Sequence, residues 1–128
     1  LNNTNINFSI EQVNYTGDRE LNNFLKINLN KLKNEKNEKN DNKIYIDANS
    51  IYKKTVLSKD GAGEVTNYQL EAEVIFLVKP LNKKIIIKEK KNMNSMDDKF
   101  EEATKERSIK QSFASSISNK LSSELIVN

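Results

Sequence analysis

Apolar residues recur in two periods along this chain. Ile6, Phe8 and Ile10 alternate with Asn7, Ser9 and Glu11, and Val13 and Tyr15 continue on the opposite phase. That switch predicts a first strand with an irregularity near Gln12. Thr16-Gly17-Asp18 closes it and offers Asp18 as a helix N-cap. Leu21, Phe24, Leu25, Leu29 and Leu32 then fall at helical spacing with polar residues between them, predicting an amphipathic helix from residue 18 to about 33 with one buried face. From Asn30 to Lys43 the chain is almost free of apolar residues and balanced in sign. This low-complexity stretch reads as a frayed helix end plus a solvated loop, or as a binding tail.

Three strands follow. Ile44, Ile46 and Ala48 alternate with Tyr45 and Asp47, and the pattern runs on through Ile51, Tyr52, Val56 and Leu57 as a long strand with room for a bulge. Ser58-Lys59-Asp60-Gly61-Ala62-Gly63 is a hairpin signal. Between Val65 and Val78, Tyr68, Leu70, Ala72, Val74, Phe76 and Val78 share one face. Lys79-Pro80-Leu81-Asn82 predicts a tight turn with Pro80 at its second position. Ile85, Ile86 and Ile87 predict a short strand that fades into the lysine-rich Lys88 to Lys91, with a polar connector from Asn92 to Met96.

Ser95-Met96-Asp97-Asp98 resembles a capping box with Asp in place of Glu. The acidic residues Asp97, Asp98, Glu101 and Glu102 suit the first turns of a helix, where its dipole favours negative charge. Phe100 and Ala103 lead into Ile109, Phe113, Ile117, Leu121 and Leu125, an i, i+4 ladder, with Ala114 beside it. Ser112, Ser115, Ser116 and Ser118 fit a helix that packs closely, or are ordinary surface serines.

The order is thus β-α-β-β-β-α. A strand-helix-strand unit lays its helix on one sheet face, and the last helix can cover the rest of that face. The predicted class is α+β: a two-layer sandwich of two helices on one face of a four-stranded, mostly antiparallel sheet. The second face has no cover. On the third strand it carries Gln69, Glu71 and Glu73, then Ile75 and Leu77. An uncovered apolar patch points to a partner; the other reading is a half-wet antiparallel face.

Composition narrows the chemistry. In 128 residues there are 20 Asn and 19 Lys but 2 Arg, and no His, Cys or Trp. Without imidazole or thiol there is no Ser-His-Asp or Cys-His nucleophile pair and no zinc, haem or iron-sulfur ligand set. No enzyme, metal or cofactor is expected. Glu71 and Glu73 share a strand face about 7 Å apart, but with no nucleophile beside them they read as solubility residues. The formal charge of +3 comes from 21 basic and 18 acidic residues, too balanced for a nucleic-acid footprint. The lysine runs Lys31 to Lys43 and Lys83 to Lys91 are interrupted by Glu35, Glu38, Asp41 and Glu89. No run approaches the roughly 18 apolar residues of a membrane span.

Several motifs in order resemble one family. The helix opens Gly17-Asp18-Arg19-Glu20-Leu21 with Leu25 behind it, the hairpin carries Lys59-Asp60-Gly61, and Tyr68-Gln69-Leu70 opens a Val/Phe-rich strand. The closing helix holds Phe113-Ala114-Ser115-Ser116-Ile117 and Leu121. Together these resemble the LPS-assembly outer-membrane lipoprotein family, LptE, from about Ile6 to Leu125, through order and spacing rather than any invariant signature.

The resemblance implies one LptE-like domain over residues 1–128, with 30–43 as its polar loop. It implies a non-enzymatic lipoprotein on the periplasmic side of the outer membrane, which plugs and helps assemble the LptD-type barrel translocon and assists lipopolysaccharide delivery. It also implies a lipid anchor on a Cys a few residues ahead of Leu1. Lys59 matches a basic hairpin position of the family and Lys99 a second one near the start of the last helix, so both become lipopolysaccharide-binding candidates; Ile75 and Leu77 become the barrel-facing candidates. The alternative is a periplasmic or envelope adaptor that binds another protein or a small ligand. No nucleic-acid partner is expected.

Overall fold

The computed structural model describes residues 8–34 and 42–127. Its elements run β1 (Ser9–Gly17), α1 (Arg19–Asn34), β2 (Lys43–Lys59), β3 (Val65–Lys79), β4 (Lys83–Asn94) and α2 (Lys99–Val127). The strands form one sheet in the order β1-β2-β3-β4. β1 pairs parallel with β2, and the other two pairings are antiparallel. This is the predicted α+β sandwich in the predicted order. The predicted start of β1 at Ile6 and positions 35–41 of the polar loop lie outside the described residues. Of the remaining loop positions, Asn30 to Asn34 belong to α1 and Lys43 to β2.

The phase switch in β1 is a bulge: the register with β2 shifts between Ile10 and Gln12. One extra residue turns Val13 and Tyr15 to the side where Ile10 already points. Ile10 is buried, and Val13 and Tyr15 pack against the core. β3 alternates strictly, with Leu70, Ala72, Val74, Phe76 and Val78 all fully buried. Onto this face α1 lays Leu21, Leu25 and Leu29, and α2 lays Ile109, Phe113, Ala114, Ile117 and Leu121, giving one continuous core.

Asp18 is the N-cap of α1: its Oδ2 accepts the Leu21 N–H at 2.9 Å and its carbonyl accepts the Asn22 N–H at 3.0 Å. Asp18→Ala is expected to cost about 1 kcal/mol, read as a lower denaturation midpoint at unchanged slope. Beside the cap, buried Ser50 donates to Asn22 Oδ1 at 2.6 Å and Asn22 Nδ2 donates to the Thr16 carbonyl at 3.0 Å. These bonds satisfy the polar groups where α1 leaves the sheet.

Three details depart from the sequence reading. β4 does not fade at Lys88: it stays paired with β3 through Asn94. Met93 is buried near its end, and Glu89 anchors α2 by accepting from Ser116 Oγ at 2.8 Å and Lys120 Nζ at 2.6 Å. Ser95 does not cap α2. It donates its hydroxyl to the Val65 carbonyl and its N–H to the Thr66 carbonyl, and Asp98 caps the helix by accepting from the Phe100 and Glu101 N–H groups at 2.9 and 3.2 Å. Phe100 and Ala103 are exposed, Phe100 at 81%. Nine residues before Ile109, Phe100 is two and a half turns away and so on the opposite side of the helix. The predicted turn after β3 is present, with Pro80 following Lys79 at its second position; it contains a cis Lys79–Pro80 peptide, with Asn82 at φ 55°.

Candidate functional site

The second face of the sheet carries no helix. Register places its residues in rows: Asn14, Asp47, Leu77 and Lys84; then Thr16, Asn49, Ile75 and Ile86; then Ile51, Glu73 and Lys88; then Lys53, Glu71 and Lys90. The predicted pair Ile75 and Leu77 stands there, joined by Ile51 and Ile86. Leu77 and Ile86 expose 40% and 51% of their surface. The patch has defined borders. Toward β1, Thr16 donates to Asn49 at 3.0 Å, and Asp47 accepts from Asn14 at 3.1 Å and pairs with Lys79 at 2.9 Å. The Lys79 contact, helped by Asn14, holds the Asp47 carboxyl below its usual range. Toward the hairpin, lysines on the two neighbouring strands flank Glu71, and Lys88 stands opposite Glu73. The patch is thus an apolar centre with a polar rim, hydrogen-bonded toward β1 and carrying unlike charges side by side toward the hairpin.

The two candidate lysines lie at the opposite end of the strands. Lys59 precedes a turn closed on Asp60, whose N–H donates to the Glu64 carbonyl and whose Oδ1 accepts from the Ala62 and Glu64 N–H groups. β2 is exposed from Lys53 to Lys59, with Val56 and Leu57 each 45% exposed. Lys99 reaches the same end because Ser95 binds the start of β3 just before it.

The two lysines have different surroundings. No described carboxylate sits on Lys59. Lys99 donates to Glu102 at 3.1 Å, and this bond raises its pKa and keeps it charged. Lys54, not Lys59, shares Glu102 with it, at 3.9 Å. Along β2, Lys54 and Lys59 are about 16 Å apart at strand rise.

Beneath the first turns of α2 lies an ionic network that sequence reasoning missed. Tyr52 donates to Glu106 at 2.6 Å and Lys54 donates to its other oxygen at 2.9 Å. Lys110, buried, pairs with Glu20 at 3.0 Å and Asp18 at 3.7 Å and lies 4.0 Å over the Tyr52 ring. Lys54 lies over Tyr68 at 4.4 Å. Burial and the neighbouring Glu106 push the Tyr52 hydroxyl well above its usual range, so it remains a donor. The available signal was Glu102, Glu106 and Lys110 at i, i+4, i+8, a polar extension of the Ile109 face.

This network makes stability acid-sensitive. The Met96 N–H and Lys99 hold the Glu102 carboxyl below its ordinary 4.5, and the Lys110 bond does the same for Glu20. A depressed carboxyl contributes stability above its unfolded value and loses it as pH falls through the folded one. Thermal midpoints are therefore expected to hold from pH 7 to about pH 5 and to drop below pH 4.5. Glu102→Gln should flatten that drop; an unchanged acid limb in this variant would contradict the assignment.

Among the described residues, no cluster of His, Cys, Asp or Glu is placed to hold a metal ion, and no helix is long and apolar enough to cross a membrane. Compared with known proteins, the sequence matches no family model and no curated protein. The fold matches solved bacterial lipoproteins. A rare lipoprotein B from Shewanella oneidensis aligns at 16% identity and TM-score 0.59, over 89% of this chain and 96% of its own. A lipoprotein B of uncharacterised role from Nitrosomonas europaea aligns at 14% identity and TM-score 0.65, over 98% and 89%. A minor lipoprotein from Acinetobacter baumannii aligns at 12% identity and TM-score 0.56, over 88% and 93%. At these identities the likeness shows the fold, and it extends over nearly the whole length of both partners.

Proposed function

We propose that this chain is a non-enzymatic lipoprotein domain of the LptE kind. In this reading it is tethered by an N-terminal lipid to the periplasmic side of the outer membrane, where it plugs and helps assemble an LptD-type barrel and assists lipopolysaccharide delivery. The observation that carries the proposal is the helix-free sheet face with Ile51, Ile75, Leu77 and Ile86 at its centre. A lumenal plug needs such a surface, and the fold match to lipoproteins and the motif order of the LptE family agree with it. The hairpin end adds Lys59 beside exposed Val56 and Leu57, a charge next to apolar surface that suits an anionic amphiphile. Lys99 is better read as a structural cation, because its ammonium is held by Glu102.

The decisive experiment is extraction of the tagged full-length gene product in mild detergent. Co-purification with a large outer-membrane barrel is expected; recovery of the protein alone would overturn the reading. A plain cleavage site upstream of Leu1, in place of a lipobox cysteine, would favour the periplasmic adaptor. In a lipopolysaccharide-binding assay Lys59→Glu should weaken binding about fivefold, as expected for reversal of one exposed charge near an anionic ligand. Thermal stability should be unchanged. Lys99→Glu should instead lower the thermal midpoint, because it sets two carboxylates against each other.

A further inference from the structure

β4 is the last strand of the sheet, and among the described residues nothing pairs with its second edge. Between that edge and α2 runs an open groove of about 760 Å³. Its strand side is Ile85 to Lys88, and its helix side is the small-residue face of α2 from Ser112 to Glu124. Along α2 that wall is about 18 Å long, the length of roughly five residues of extended chain. Unpaired edge N–H and C=O groups beside a shallow groove form a template for one more strand. The helix wall presents Ser115, Ser116 and Asn119, small or polar groups that leave room for an added backbone.

Charge selects the occupant. Within β4, Lys83, Lys84, Lys88, Lys90 and Lys91 surround the uncharged triplet Ile85 to Ile87; the strand's one carboxylate, Glu89, is engaged by Ser116 and Lys120, and the groove's other carboxylate, Glu124, stands at the far end of the helix wall. A basic edge repels a second copy of itself and attracts an acidic strand. We propose that an extended acidic segment of a partner protein adds to β4 as a fifth strand in this groove. The site shares Ile86 and Lys88 with the margin of the open face, but it is built on the free edge of β4 and the wall of α2, so the assignment does not depend on the barrel reading.

The test is NMR titration of the isotopically labelled full chain with a synthetic peptide of about eight alternating glutamate and valine residues. Expected are amide shifts and slowed hydrogen exchange at Ile85 to Lys88, with shifts along Ser112 to Glu124, and affinity that falls as salt rises. Methylating alternate peptide amides should abolish binding, and Lys88→Glu should weaken it about fivefold or more. Several results would overturn the assignment: shifts centred on Ile75 and Leu77 or on the hairpin, equal binding by the methylated peptide or a lysine–valine peptide, self-association through β4, or no binding at millimolar peptide.

Discussion

Gly17→Ala is expected to destabilise the protein by on the order of 3 kcal/mol, a large share of the roughly 5–15 kcal/mol that holds a domain folded. Gly17 closes β1 at φ +96°, and a Cβ there would lie 2.0 Å from the Ser50 carbonyl oxygen and under 3 Å from the Ser50 nitrogen and carbon. All three obstructing atoms are backbone, so no side-chain rotation relieves the clash. Ser50 is itself held: its carbonyl accepts the Asp18 N–H at 2.9 Å and its hydroxyl bonds Asn22. Relief would therefore pull β1 from β2 or displace the α1 cap. Gly63 at φ +85° has nothing within 4 Å of its missing Cβ, so Gly63→Ala should cost only about 1 kcal/mol. Gly61, open and without that φ, should tolerate alanine within about 0.5 kcal/mol. Urea denaturation of the three variants checks the order, and equal midpoints for Gly17→Ala and Gly61→Ala would refute the argument.

What could be read from the sequence depended on whether a residue's neighbours lie within its own element. The strict alternation from Leu70 to Val78 assigns β3 and both its faces, so periodicity by itself puts Ile75 and Leu77 on the open side. The phase switch between Ile10 and Val13 locates the bulge. β4 was harder because an edge strand has one flank wet: its lysines hid the last half of the strand, and only the buried Met93 marks it. Three consecutive isoleucines carry no period, so the exposure of Ile86 between buried Ile85 and Ile87 emerged only from pairing with Ile75.

The ionic network was hidden for a different reason. Tyr52 and Lys54 continue the buried phase of β2, and Glu102, Glu106 and Lys110 continue the buried phase of α2. Within either element alone they break the apolar pattern; facing one another they complement it. Such complementarity is a property of the crossing of two elements, which local periodicity does not encode. The Lys99–Glu102 bond is of the other kind, an i, i+3 pair within α2 that the spacing itself encodes.

Adjacent residues of β3 should give opposite phenotypes. Phe76 is fully buried, so Phe76→Ala is expected to cost about 4 kcal/mol and to deplete the folded protein. Leu77, one residue on, faces out at 40% exposure between Asp47 and Lys84. A glutamate there meets one like and one opposite charge, so Leu77→Glu should change stability by less than about 1 kcal/mol. It does, however, put a charge at the centre of the open face. If that face is the barrel contact, desolvating an unpaired carboxylate should cut recovery of the barrel complex at least about tenfold, and pairing it with Ile86→Glu should abolish recovery. Chemical denaturation and detergent pull-down on the same preparations separate the two effects. A Leu77→Glu protein that unfolds like Phe76→Ala would refute the assignment of faces. One that stays folded and still carries the barrel in wild-type amount would show that the plug is seated through another surface.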